Sequence, residues 1–335
     1  MLLSLFAWYF FPRNTKKLIS PLWLGNSQED KISQKIDKGL HLDLFQSKEL
    51  SSIEGVPRYL VYNQETGKVY YSKNSQQKIS PASFAKLLSA QVALDLASID
   101  QEIEVHSESI NKVPTILDLK AGEKFILKDI LRATIATSAN DAAQVLADES
   151  GRFVNISPQE FIYYMNKKAT LLGMDHSHFV NPDGLDDQNQ YSTLQDIARM
   201  VNNVQKNYPE ILEVAKSDNE DIASASAHGH YYLPNWNGLL GVYPGVTGLK
   251  IAYTESAGYS TIITAKRERL SLVAIVSGTG SYLERDRAAA DLLDAAFLYE
   301  GQRPVGVTKN SLNLHYKEWG DLARKIKLEL KALEK

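Results

Sequence analysis

The 335-residue chain contains no cysteine. Disulfides, thiol chemistry and lipid attachment through an N-terminal cysteine are therefore excluded. Neither sign of charge is in large excess: 37 lysines and arginines stand against 40 aspartates and glutamates, a net charge of −3. Nothing in that balance points to nucleic acid as a partner. Internal repeats and low-complexity tracts are missing too. The apolar run at residues 2–11 (LLSLFAWYFF) falls well short of the roughly 20 residues a membrane-spanning helix needs. What is present is an ordinary globular composition, 44% hydrophobic and 23% charged, in a chain long enough for one large domain or two smaller ones.

The two ends differ in kind. Pro12, Arg13, Lys16 and Lys17 follow the apolar run, so residues 1–17 resemble the core of a signal or membrane-anchor segment, although no basic residue precedes it. Export is the expectation. Residues 18–55 are mixed, polar and aperiodic, and read as a linker. At residues 301–335, Trp319, Leu322, Ile326, Leu330 and Leu333 keep helical spacing beside Arg324, Lys325, Lys327 and Lys331. Such an amphipathic helix either lies on an anionic membrane surface or caps the domain.

Between the ends, residues 58–63 and 68–72 read as two strands joined by the turn Gln64-Glu65-Thr66-Gly67. Apolar residues at helical spacing then run from about 126 to 215, with Ser157 and Ser192 placed as N-caps and Gly151 and Gly173 as helix ends. Strands return at 245–251, 258–266 and 270–277, followed by a helix over 282–299. The order predicts one sheet built from both parts of the chain, with a mostly helical subdomain inserted between them.

Three elements carry chemistry. Ser83 and Lys86 stand three residues apart at the head of an apolar helix (FAKLLSAQVALDLASI), which puts the amine within reach of the hydroxyl. Serine needs a base to become a nucleophile, and a buried lysine with a lowered pKa is such a base. A second Ser-x-x-Lys, Ser75 and Lys78, has no apolar helix behind it and reads as a solvated turn. Ser138 and Asn140 lie where one apolar helix ends and the next begins. The same Ser-x-Asn spacing at Ser109, Ser217 and Ser311 lacks that setting. Lys250 enters a strand before the last hairpin, where an edge lysine draws in a carboxylate and the strand backbone pairs with an extended peptide.

In this order the three elements resemble the signature of the low-molecular-mass penicillin-binding proteins, the serine-lysine D-alanyl-D-alanine carboxypeptidases. Flanking phrases over about residues 56–300 agree, among them Leu119-Lys120-Ala121-Gly122-Glu123, His178-Phe179-Val180-Asn181-Pro182-Asp183-Gly184-Leu185 and Ala257-Gly258-Tyr259. The resemblance implies an α/β (α+β) fold, β-lactamase/DD-peptidase-like, with an antiparallel sheet flanked by helices. It also implies a mechanism. Ser83 would attack the penultimate D-alanine carbonyl of a peptidoglycan stem peptide ending in D-Ala-D-Ala, and Lys86 would take its proton. Ser138 would relay a proton to the leaving D-alanine, Asn140 would hold Lys86 and the substrate amide, and Lys250 would face the terminal carboxylate. The N–H groups of Ser83 and Tyr253 would form the oxyanion hole. β-Lactam antibiotics would acylate Ser83, no cofactor would be needed, and the protein would work in the bacterial cell envelope.

The third motif departs from Lys-Thr-Gly: Ile251 and Ala252 follow Lys250, and Ala85 replaces the threonine usual before the motif lysine. Isoleucine offers no hydroxyl to a substrate carboxylate, and alanine adds a methyl where the substrate backbone comes close. These departures predict a weakened or altered enzyme, or a homologue that binds wall peptides without turnover. A DD-endopeptidase of the same fold shares every motif. A class A β-lactamase would need a Glu-x-x-Leu-Asn pattern between Ser138 and Lys250, and there is none. Neither His176/His178 nor His228/His230 has zinc-peptidase spacing, and Asp183, Asp186 and Asp187 read as turn residues, so no metal is expected.

Overall fold

A computed structural model describes residues 27–333. A helix, α1 (Ser27–Gln34), precedes two strands, β1 (Arg58–Asn63) and β2 (Val69–Lys73), and then α2 (Ala85–Leu96). The two-stranded ribbon β3 (Glu102–Glu104) and β4 (Lys124–Ile126) leads into α3 (Leu127–Arg132), α4 (Asn140–Phe153), α5 (Pro158–Leu171), α6 (Leu194–Asn207) and α7 (Pro209–Ala215). A second ribbon, β5 (Asn219–Ile222) and β6 (Tyr231–Pro234), returns the chain to β7 (Val246–Ala252), β8 (Tyr259–Arg267) and β9 (Leu270–Thr279). Two helices follow, α8 (Tyr282–Tyr299) and α9 (Lys309–Leu333).

One antiparallel sheet has the order β2-β1-β9-β8-β7, so both parts of the chain build it and the helical block lies between, as the sequence predicts. Successive side chains on a strand point to opposite faces, and both faces of this sheet are covered. Leu60 and Tyr62 of β1 and Val273 and Ile275 of β9 join a core shared with α2 and the helical block. Their neighbours Tyr59, Val61, Leu272, Ala274 and Val276 join a second core under α8. β7 forms the edge next to the helical block.

Three details differ from the sequence reading. The expected linker is partly built into the domain: α1 packs on α2 and α5, Ile32 is buried, and bridges from Asp43 and Lys48 reach β2. Scattered isoleucines and leucines make those contacts without a helical or strand period, which is why no element was legible there. The expected signal or anchor segment, residues 1–17, lies outside the described residues. Ser192 is not an N-cap; Thr193 caps α6 by accepting from the Asp196 N–H. α4 runs past Gly151 to Phe153. Of the two readings of the C-terminal helix, capping describes the first half of α9, where Leu312 and Trp319 are buried. Leu314, Leu322 and Leu328 are exposed.

Candidate active site

Ser83 lies in a tight turn, Ala82–Phe84, that runs straight into α2. Ala82 takes a left-handed φ of 45°, and Gly184, at φ +87°, backs directly onto it. A Cβ at position 184 would stand 1.9 Å from the Ala82 carbonyl oxygen, so only glycine lets this loop support the turn.

Lys86 is completely buried in the first turn of α2. Its Nζ donates to Ser83 Oγ at 3.0 Å, to Asn140 Oδ1 at 2.6 Å and to the Asp183 carbonyl at 2.5 Å. Three acceptors match the three protons of an ammonium. Once neutral, the amine can keep its bonds to Asn140 and Asp183 and turn its lone pair to the serine. Burial pushes the Lys86 pKa down to about 8, against the pull of Asp183 and Asp141.

Ser138 is the left-handed residue, φ 63°, that ends the wide turn Ala133–Thr137 and reverses the chain into α4. Asn140 opens α4. Its N–H donates to the Thr115 carbonyl at 2.8 Å and its Nδ2 to the Pro114 carbonyl at 2.6 Å, which leaves Oδ1 for Lys86. The segment it grips is held in turn by Asp141, whose carboxylate accepts from the N–H groups of Leu117, Asp118 and Leu119.

Lys250 lies on edge strand β7, 2% exposed, and its Nζ has no hydrogen-bond partner among the described residues. Burial, then the charges of Lys86 and Arg285, hold its pKa well below the ordinary lysine value. Lys86 and Lys250 thus lie beneath the site, with Arg285 near enough for Lys250 to feel its charge as well.

A cleft of about 830 Å³ opens above them. Ser83, Ser138 and Asn140 line one side, and Ile251, Ala252 and Tyr253 line another. The structure therefore brings together every residue the sequence singled out, the two lysines lying buried below the six that meet the cleft. The second Ser-x-x-Lys does not form a pair. Ser75 is buried against Ser72 and Gln195, and the Lys78 ammonium stands 3.7 Å from the centroid of the Tyr191 ring. Asp183 and Asp187 accept turn bonds from Leu185 and Asn189. Asp186 does more: it accepts from Ser80 and Thr254, tying the segment just before the Ser83 turn to the segment after β7. No group of three or more metal-ligating side chains forms among the described residues.

Sequence reasoning missed a further wall of the cleft made by Trp236, Tyr282, Arg285 and Tyr316. Nothing local in the sequence marks Arg285 as a cleft residue, and the distance between chain segments hides Tyr316. Asp141 was findable, as an acid in the first turn of the helix that carries Asn140.

The fold is that of the DD-transpeptidases. A Streptomyces DD-transpeptidase matches with a TM-score of 0.67 and 25% identity, covering 72% of this chain and 97% of that one. A penicillin-binding protein of Listeria monocytogenes, solved with ampicillin bound, matches with a TM-score of 0.62 and 26% identity over 72% of this chain and 97% of its own. The family profile described as D-alanyl-D-alanine carboxypeptidase matches residues 49–281. The chain belongs to that family. Among its relatives, the carboxypeptidase DacF of Bacillus subtilis is 32% identical over 251 residues, 73% of this chain and 63% of that protein. DacA of Escherichia coli is 26% identical over 275 residues, 77% of this chain and 66% of that protein. The chain therefore spans just under two thirds of the length of these relatives.

Proposed function

We propose that this protein is a serine-type D-Ala-D-Ala carboxypeptidase that trims peptidoglycan stem peptides through a Ser83 acyl-enzyme. The observation that carries the reading is Lys86, buried and held 3.0 Å from Ser83 Oγ by Asn140 and the Asp183 carbonyl. Neutral Lys86 takes the Ser83 proton as Oγ attacks the penultimate carbonyl. The oxyanion meets the N–H groups of Ser83 and Tyr253, and donors of this kind are worth about 3–4 kcal/mol each. Ser138 passes a proton to the departing D-alanine amine, and water then frees the stem peptide. Lys250 faces the terminal carboxylate, and an arriving anion restores the charge that burial disfavours. This chemistry belongs in the cell envelope. Among the described residues no helix is long and apolar enough to cross a membrane. Exposed Leu322 and Leu328, beside Arg324 and Lys325, fit contact with an anionic membrane surface.

The test is the intact mass after incubation with penicillin, beside a Ser83→Ala control. A one-to-one adduct that the control lacks is expected. No adduct on the wild-type protein would overturn the reading. A second reading, wall-peptide binding without turnover, is favoured by Ile251, which lines the cleft where the family has a hydroxyl. The double change Ile251→Thr with Ala252→Gly separates the two. It should raise an existing acylation rate about ten- to a hundredfold, the equivalent of one hydrogen bond to a charged group. If only the double variant acylates, the binding-only reading is the better one. Carboxypeptidase and endopeptidase activity differ in the products released from cross-linked wall fragments.

A further inference from the structure

One wall of the cleft depends on α9, which lies beyond the 49–281 match to the family profile. Arg285 is 3% exposed and lines the cleft. Its Nε and Nη2 grip the two oxygens of Asp286 at 2.7 and 3.0 Å. Tyr316 of α9 closes the arrangement: its hydroxyl donates to Asp286 Oδ2 at 2.5 Å and accepts from Arg285 Nη2 at 2.9 Å. Nη1 makes no hydrogen bond among the described residues. The cluster is tightly seated. A Cβ on Gly238 would come within 2.4 Å of both Asp286 Oδ2 and the Tyr316 hydroxyl. The same helix also supports the aromatic part of the wall, with Tyr282 edge-on to Tyr316 at 4.7 Å and Trp236 on Trp319 at 5.1 Å.

We infer that Tyr316 is a positioning residue for carboxylate recognition: it fixes Arg285 so that Nη1 receives the ligand's carboxylate, in a site where Ile251 offers no hydroxyl. The inference rests on the proposed function for the identity of the ligand. α9 thereby becomes part of the substrate site as well as a cap on the domain. A guanidinium already clamped on one edge loses little freedom when its other edge binds an anion, which favours recognition. Without the Tyr316 hydroxyl, Asp286 and Arg285 lose their shared partner and the free edge loses its aim.

The experiment compares benzylpenicillin with its neutral methyl ester on wild-type protein and on Tyr316→Phe, which keeps the ring and its packing. Acylation rate constants are read by intact mass, with thermal unfolding alongside. Wild type should favour the acid, and Tyr316→Phe should lose about tenfold more on the acid than on the ester, the scale of one charge-assisted hydrogen bond. Gly238→Ala, which displaces the cluster from its other side, should reduce the acid preference in the same direction. Equal losses on acid and ester would mean a structural role only and would overturn the inference. If wild type forms no adduct with either compound, the proposed reaction falls while the inference is still decided, by calorimetric binding of acetyl-D-Ala-D-Ala against its C-terminal amide. A preference for the acid that Tyr316→Phe abolishes supports it; no preference in wild type overturns it.

Discussion

Lys86 makes the strongest chemical demand of any residue in the cleft. An ammonium cannot accept the Ser83 proton, so acylation by the proposed mechanism requires the neutral form, and burial brings its pKa down to about 8. The sign follows directly. A base with a depressed pKa is mostly protonated at low pH and becomes competent as pH rises through that value. The penicillin acylation rate constant should climb about tenfold per unit below the pKa and level off above about pH 8. A flat profile from pH 6 to 9 would assign the base elsewhere (roughly the window in which such a pKa is visible). Lys250 cannot produce the same curve by carrying charge. The role proposed for it needs the protonated form, so its titration would lower the rate as pH rises. Ser83, Lys86, Ser138, Asn140 and Lys250 were legible because each is a chemistry-bearing residue at a fixed spacing in a distinctive setting. Arg285 was not, because residues i and i+1 on a helix do not ordinarily face each other, and nothing local announces that Asp286 folds back to grip it.

Each site residue is positioned by an element of a few residues, often one in an uncommon conformation. Ser83 follows a left-handed alanine, Ser138 is itself left-handed, and the Asp183 carbonyl that holds Lys86 precedes Gly184. The loop from Asn181 to Gln190 is braced internally: Asn181 accepts from the Gly184 N–H, and Gln190 donates to Asn181 and to the Leu185 carbonyl. A loop so fixed cannot step aside to admit a methyl group. Gly184→Ala should therefore combine a left-handed alanine with overlap against the Ala82 carbonyl, at a cost of about 2–4 kcal/mol. The turn carrying Ser83 is the softer partner, so acylation should fall more than tenfold even in molecules that remain folded. Chemical unfolding and adduct formation measure the two effects separately; a variant with normal acylation would mean that the loop does not position Ser83. The regular elements were easier to foresee than these turns. Runs such as RYLVYN and LSLVAIVS announce buried strands by composition and length, whereas a left-handed serine or alanine leaves no local trace.

The molecule as a whole is organised around α2, which holds Lys86 at one end and a buried ion pair at the other. Lys86 stands in its first turn and Asp95 in its last, and Asp95 Oδ2 accepts from Lys168 Nζ of α5 at 2.6 Å with neither side chain exposed. Tyr208 donates to the other Asp95 oxygen at 2.8 Å, and Lys168 also reaches the carbonyl of Ile32 at 3.2 Å. One buried ammonium therefore joins α2, α5 and the N-terminal segment that sequence alone read as a linker. Burial works against both charges, lifting the Asp95 pKa and lowering that of Lys168, so neither tolerates the loss of its partner. Asp95→Ala should cost about 3–5 kcal/mol in denaturant unfolding, because it strands an ammonium in the core. Replacing both partners by apolar residues of similar size, Asp95→Leu with Lys168→Met, should recover most of that loss, since the desolvation cost disappears with the charges. The acylation rate of folded protein should not change in either variant, because Asp95 stands at the far end of α2 from Lys86. A single variant as stable as wild type would show that the pair is not what binds the N-terminal segment and α5 to the central helix. A double variant as unstable as the single one would place the cost in lost shape at the junction of the three segments, with the charges secondary.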